Sequence, residues 1–329
     1  MRRPPIELVK GELHVTGSGL FLDARRRSQC AFVSHAHGDH IARHDRTIAT
    51  AATVALMRQR LGEKVRGEAL PAGYRTPFGL GELTLELLPA GHVLGSAQLR
   101  VRRNGTVLGY TGDLSLEPNG AAEAAEVMGC DVLVMESTFG LPRYVFPPKA
   151  EVLQAVRRFV DDALSDGVTP VLLAYALGKA QEIEKHLGEL GYRLRAHAAV
   201  QALNRVYERH GVALPNVRPL GPEGPVRDEV VVVPPHLARS AALARIRRRR
   251  TAILTGWAVD RSRAFWRGAD AAFPLSDHAD FPALLRYARE SGAGRIYTLH
   301  GFAEELARTL RRDGMRAQPL ESARQLELW

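Results

Sequence analysis

The 329-residue sequence predicts a two-part α/β protein, in which a β-rich part at both ends of the chain is interrupted by a parallel sheet flanked by helices. Three observations predict it. Short β-type segments crowd residues 1–140, strands and helices alternate regularly over 141–269, and the opening style returns over 270–329. A hydrophobic content of 45% can bury a full core in a chain of this length.

The elements follow in order. IELVKGELHV, GLFLDA and QCAFVS read as strands separated by Gly-Ser-Gly and Arg-rich turns. From Thr47 to Leu61 apolar positions recur at helical spacing, and strand signals return in GELTLELLPA, SAQLRVRR and TVLGYTG. Asn104-Gly105 between the last two marks a tight hairpin. VLVMEST is a continuous apolar run closed by polar residues, as expected of a buried strand that delivers Glu136 to its end.

Pro142, Pro147 and Pro148 mark a boundary. Beyond it EVLQAVRRFVDDALSDG reads as a helix, TPVLLAY as a strand, GKAQEIEKHLGELG as a helix, YRLRAH as a strand and AVQALNRVYERHG as a helix. DEVVVV, HLARSAALARIRRRR and TAILTGWAV give a further strand, helix and strand. The chain then passes through SDHADF to a helix (PALLRYARE), a strand (RIYTLH), a helix (EELARTLRRDG) and a last short strand.

Composition narrows the function. No run of eighteen apolar residues exists, and MRRPPIELVKGEL lacks the apolar core of a signal peptide, so a cytoplasmic protein without membrane partners is expected. Cys30 and Cys130 border apolar runs and read as buried free thiols, neither a disulfide nor metal ligands. A formal charge of +9 suits a polyanionic partner, although an Arg-, Ala- and Leu-rich composition accounts for such a charge equally well.

The histidines are more informative. HAHGDH sets His35, His37, Asp39 and His40 within six residues. At a strand end residues two apart point the same way, so His35 and His37 can share one metal, while a turn at Gly38 re-aims Asp39 and His40 to a second. A catalytic zinc takes three protein ligands, and His92 in PAGHVLGSA, with glycines on both sides, is the candidate third. Asp113 in GYTGDL sits at a strand end from which a carboxylate could bridge two metals. His14 and His44 fit no ligand spacing and are assigned to packing or surface.

HAHGDH, GHVLGSA and YTGDL, in that order, resemble the successive metal motifs of the metallo-β-lactamase superfamily. Glu136 in ESTFG, His278 in SDHAD and His300 in TLHG resemble the three additional motifs of its β-CASP nuclease branch. YALGKAQEI, ESTFG and a chain that stops soon after TLHG are most similar to the short bacterial ligase-associated DNA exonucleases. The resemblance implies an αββα sandwich, residues 1–140 and 270–329, with an inserted β-CASP-type α/β domain over 141–269. It implies His35, His37 and His92 on one metal, Asp39, His40 and His300 on the other, and Asp113 bridging them. It further implies His278 as general acid oriented by Glu136, with Asp39 in the catalytic set.

The cofactors implied are two divalent metal ions, zinc or manganese, which would activate a water as nucleophile and neutralise charge on the phosphodiester. The partner is nucleic acid, DNA ranked before RNA, with a DNA ligase/helicase repair set as its setting and a 5′ end as the starting point. An RNA-processing nuclease is the alternative; His300, which the RNA-processing members also carry, and YALGKAQEI do not decide between the two. Thiolester or lactam hydrolysis needs neither the insert nor the Glu136–His278 pair. A catalytically dead binding protein would have lost ligands, and every ligand position here is filled.

In the insert, Gly178 and Lys179 open a helix after a strand and form a candidate phosphate site. ARIRRRR reads as a solvated helix end, and Tyr175, Trp257 and Phe139 as packing residues ahead of base-stacking ones.

Overall fold

A computed structural model describes residues 5–62, 67–222, 224–260 and 269–320. The chain divides into two compact units, one of residues 1–118, 122–144 and 278–329, the other of 119–121 and 145–277. These divisions fall four and eight residues later than the expected 140 and 269, the second because β17 (Ala271–Phe273) pairs in parallel with β16 (Arg249–Leu254) of the insert.

The first unit holds two sheets. β1 (Ile6–Val9), β2 (Glu12–Val15), β3 (Leu20–Leu22), β4 (Cys30–Phe32), β5 (Arg46–Ala49) and β6 (Glu68–Pro71) lie in sequential order in one of them. The other runs β19 (Ala317–Pro319), β18 (Arg295–Leu299), β11 (Val132–Glu136), β10 (Thr106–Tyr110), β9 (Ala97–Arg103), β8 (Leu83–Pro89), β7 (Phe78–Leu80). Their facing sides share one apolar core, with Leu20, Leu22, Phe32 and Ile48 from the first and Leu85, Leu99, Tyr110 and Val134 from the second. Strand alternation then sends Leu133 and Met135 the other way, onto α6 (Phe281–Glu290) and α7 (Ala303–Arg312) through Leu284, Tyr287, Leu306 and Leu310. With α1 (Ala51–Leu61) crossing from β5 to its parallel neighbour β6, this is the α/β layering of the metallo-β-lactamase fold.

The helix expected from Thr47 starts later. Residues 46–49 are a strand between β4 and β6, and Thr50 caps α1 by accepting from Thr53 N at 3.1 Å. Thr47 and Ile48 are β-branched and buried, and pairing on both edges overrides the helical spacing. The hairpin at Asn104-Gly105 is present, with φ of 49° and 74° at the two residues.

The second unit is built on one parallel sheet, β14 (Val217–Pro219), β13 (Arg193–Ala196), β15 (Glu229–Val233), β12 (Thr169–Leu173), β16, β17. Val230 and Val232 face the core made with α2 (Lys149–Ser165), α3 (Lys179–Glu189) and α4 (Ala198–Arg209), while Val231 and Val233 face a second cluster containing Leu243 and Ile246. Burial on both faces explains why DEVVVV shows no alternation. The long helix expected over 236–250 reduces to one short helix, α5 (Ala241–Ala244), because Arg249 and Arg250 already belong to β16. Among the described residues no helix is long and apolar enough to cross a membrane. Cys30 and Cys130 are free and partly buried.

Candidate metal centre

β4 runs parallel between β3 and β5, and its continuation carries HAHGDH out of the core with His35 and His40 buried. His37 Nδ1 lies 3.1 Å from His35 Nε2 and 3.0 Å from His92 Nε2, so three ring nitrogens converge on one point. Asp113, three residues beyond β10, completes the group: one donor atom from each of His35, His37, His92 and Asp113 lies within 4.8 Å of the others, a set that could hold a metal ion. Three imidazoles and a carboxylate drawn this close, all but His37 buried, are a donor set that suits a cation better than the groups suit one another.

Asp113 also faces the other way. Its Oδ2 is 3.4 Å from His35 Nε2 and 3.4 Å from His40 Nε2. Asp39 Oδ2 lies 3.7 Å from His40 Nε2, and the His300 ring is centred 5.6 Å from that of His40. His300 is the first residue after β18 and takes a left-handed φ of 62°. Gly301 follows at φ 50°, and a Cβ there would collide with the Ser137 carbonyl and Thr138, so only glycine lets this loop pass. Ser137 Oγ donates to the carbonyls of Leu299, at 2.9 Å, and of His300, at 2.5 Å, fixing the turn.

His278 approaches from the chain that returns to this unit. Its Nδ1 is 3.1 Å and 3.2 Å from the two oxygens of Glu136, and its ring lies 4.6 Å from that of His92. Glu136 is buried at the end of β11 and also accepts from Leu114 N at 2.5 Å.

The charges within the cluster are set by burial and by one another. Burial, reinforced by the charge on His40, pushes His35 well below the ordinary imidazole range. Burial alone would lower His40, but Asp113 and Asp23 outweigh it and hold this histidine well above that range. Asp113 would be raised by burial, yet His40 and His35 hold it well below the usual carboxylate range. His300 is lowered by burial and then by His40. Burial thus favours the neutral, lone-pair form of His35 and His300, the form in which an imidazole binds a metal ion.

The sequence reading missed Asp23. It sits just past β3 at φ 44°, and its carboxylate accepts from Ser34 N (2.6 Å), Ser34 Oγ (2.5 Å), Tyr110 OH (2.7 Å) and His40 Nδ1 (2.9 Å). Those bonds orient the start of HAHGDH and direct His40 Nε2 toward Asp113. An aspartate ending the run GLFLD was the available signal. Gly112 is equally constrained: at φ 55° its added Cβ would stand 2.5 Å from Ser34 Cβ.

His14 and His44 are packing residues, as expected, bonded to Glu7 Oε1 at 3.0 Å and Ser28 Oγ at 2.9 Å. In the second unit the Lys179 ammonium pairs with buried Asp277, and Gly178 N donates to Gln181 Oε1 at 2.8 Å. Both groups named for phosphate are therefore engaged internally, since burial lets Lys179 answer a carboxylate in place of solvent. Arg250 pairs with Asp166 at 2.8 Å, and Arg249 Nη1 donates to the carbonyl of Leu243 at 2.8 Å, so part of the ARIRRRR tract is also tied down. Phe139 packs as expected, whereas Tyr175 is 49% exposed.

No family model matches the chain. It is 42% identical over 318 residues to a protein of Opitutus terrae named a probable DNA ligase, a match that takes in 96% of this chain and 31% of that protein. It is 34% identical over 113 residues to the endoribonuclease YSH1 of Gibberella zeae, 33% of this chain and 13% of that one. With the RNase aCSPSF2 of Saccharolobus solfataricus the identity is 27% over 189 residues, 49% of this chain and 38% of that one. The chain thus spans well under half the length of each of these relatives. Joined to the fold and the His/Asp cluster, these likenesses support a place for the chain in the metallo-β-lactamase/β-CASP nuclease superfamily.

Proposed function

We propose that this protein is a two-metal phosphodiesterase that hydrolyses nucleic acid, acting on DNA from a 5′ end. The observation that carries the reading is Asp113 Oδ2, equidistant at 3.4 Å from His35 and His40 and so common to two groups of donors. His35, His37 and His92 would hold one cation, Asp39, His40 and His300 the other, and Asp113 both. Bound there, two divalent cations, zinc or manganese, would activate water and neutralise phosphate charge.

The chain's own part is positional and acid–base. Asp23 and Ser34 fix the imidazoles. With Nδ1 facing Glu136, His278 holds its second proton at Nε2, and that atom delivers it to the departing sugar oxygen. Asp39 completes the acidic lining beside His40.

Support for DNA comes from the Opitutus terrae relative, whose name is that of a probable DNA ligase and 31% of which matches 96% of this chain; a ligase-linked repair set would be the setting. An RNA substrate is the second reading, favoured by the relatives named endoribonuclease and RNase. Digestion of matched single-stranded DNA and RNA, each with and without a 5′ phosphate, separates them. Faster cleavage of 5′-phosphorylated DNA is expected; preference for RNA, or indifference to the end, would replace the first reading with the second. Asp113→Ala should abolish cleavage and lower the metal content, and full activity in that variant would refute the shared-ligand role.

A further inference from the structure

Two arginines, Arg25 and Arg60, stand beside the loop that carries Asp39. Arg60, in the last turn of α1, lays its guanidinium over Gly38, where an added Cβ would stand 3.6 Å from Nη2. The Asp39 carboxylate lies within its electrostatic reach. Arg25, in the β3–β4 connection, donates Nε to the Asp39 carbonyl at 3.1 Å. Both side chains are exposed.

Their neighbours in sequence behave differently. Arg26 and Arg27 reach Glu12 and Asp45 at 3.8 and 2.6 Å, whereas neither Arg25 nor Arg60 forms an ion pair with an acidic side chain among the described residues. Two exposed guanidinium groups, neither within ion-pair distance of an acidic side chain among the described residues and only Arg60 in the longer reach of Asp39, add positive potential beside a centre that would itself hold cations. Asp39 offsets part of that charge, and a further anion such as a phosphate would be attracted there. A guanidinium meets phosphate oxygens with two parallel N–H donors, which an ammonium cannot do.

We propose that Arg60 and Arg25 clamp the phosphates flanking the scissile one in a single-stranded nucleic acid, a role that rests on the nuclease reading above. A substrate with one phosphodiester would be held by the metal centre alone, while a polymer would use the clamp as well. Arg60 carries the stronger test, because Arg25 also steadies the Asp39 carbonyl.

The test uses the metal-loaded full chain, with Arg60→Gln, Arg25→Gln and the double variant. Each is assayed over a salt series on a single-stranded oligonucleotide and on bis(p-nitrophenyl) phosphate, with metal content measured. In Arg60→Gln we expect KM for the oligonucleotide to rise about tenfold, with a smaller change in kcat, and the loss in kcat/KM to exceed that on bis(p-nitrophenyl) phosphate. The slope of log kcat/KM against log salt should become shallower by about 0.7 for each arginine removed, and Arg60→Lys should restore it. Equal losses on both substrates, or an unaltered slope, would overturn the clamp and leave the nuclease reading intact. A wild-type enzyme that hydrolyses bis(p-nitrophenyl) phosphate and leaves every oligonucleotide whole would overturn both.

Discussion

His278 Nδ1 sits 3.1 and 3.2 Å from the two oxygens of Glu136, a buried carboxylate at the end of β11. The contact fixes which nitrogen faces the carboxylate and therefore which one is left for a substrate. His278→Ala should lower turnover by about 10²–10⁴ while both metals stay bound, as general acids typically contribute. Glu136→Gln should give a smaller loss, since an amide still orients the ring. Single-turnover rates with elemental analysis check both, and loss of metal from His278→Ala would move this histidine among the ligands.

Asp23 gathers four donors in the interior, and removing its carboxylate strands them. Each buried donor left without a partner costs about 1–3 kcal/mol, and loss of an orienting partner typically weakens metal binding about 10- to 100-fold. Asp23→Ala should therefore lower both the melting temperature and the affinity for metal in a chelator competition. Unaltered metal affinity would show that HAHGDH is held by the strand alone.

Gly301 offers a steric test of the His300 turn. Gly301→Ala puts a methyl group into the Ser137 carbonyl at a φ of 50° that alanine disfavours. A destabilisation of about 1–3 kcal/mol in urea unfolding is expected, with displacement of His300 read as weakened binding of one metal of the two. Equal weakening of both metals would argue that His300 serves neither preferentially.

Glu184 links the second unit to pH. It is buried on α3, accepts from Asn204 Nδ2 at 2.7 Å, and burial pushes its carboxyl up to about 8 from 4.5. A raised folded-state value means that its contribution to stability is complete below 4.5, declines as pH rises, and is gone above about 8. Glu184→Gln should remove that decline, so the stability of the variant relative to wild type should improve between pH 5 and pH 8.5, by at most about 1.4 kcal/mol per unit crossed. Melting curves at the two pH values check it; a constant difference would mean that Glu184 is already ionised in the fold.

Much of this was legible along the chain because the chemistry is local. HAHGDH carries four donors in six residues, and the two-residue spacing expected of a strand end predicts that His35 and His37 face one way; in the fold they follow β4, which ends at Phe32, and three nitrogens meet at His37. The alternation of β12 to β16 with helices was readable because each element has its own hydrophobic period. Residues 46–49 were not, since β5 gains its strand character from two neighbouring strands that no local window contains.

What the sequence alone determined is the inventory: which donors exist, on which strand ends, and that a helix-flanked parallel unit separates Asp113 from His278 and His300. Tertiary structure decided which groups meet. Asp23 became the anchor of His40, and Lys179 the partner of Asp277, because burial obliges each charged group to find a counterpart at a few ångströms, wherever in the chain that counterpart lies. Arg25 and Arg60 stand 35 positions apart and flank Asp39 only because β3, β4 and α1 fold around it.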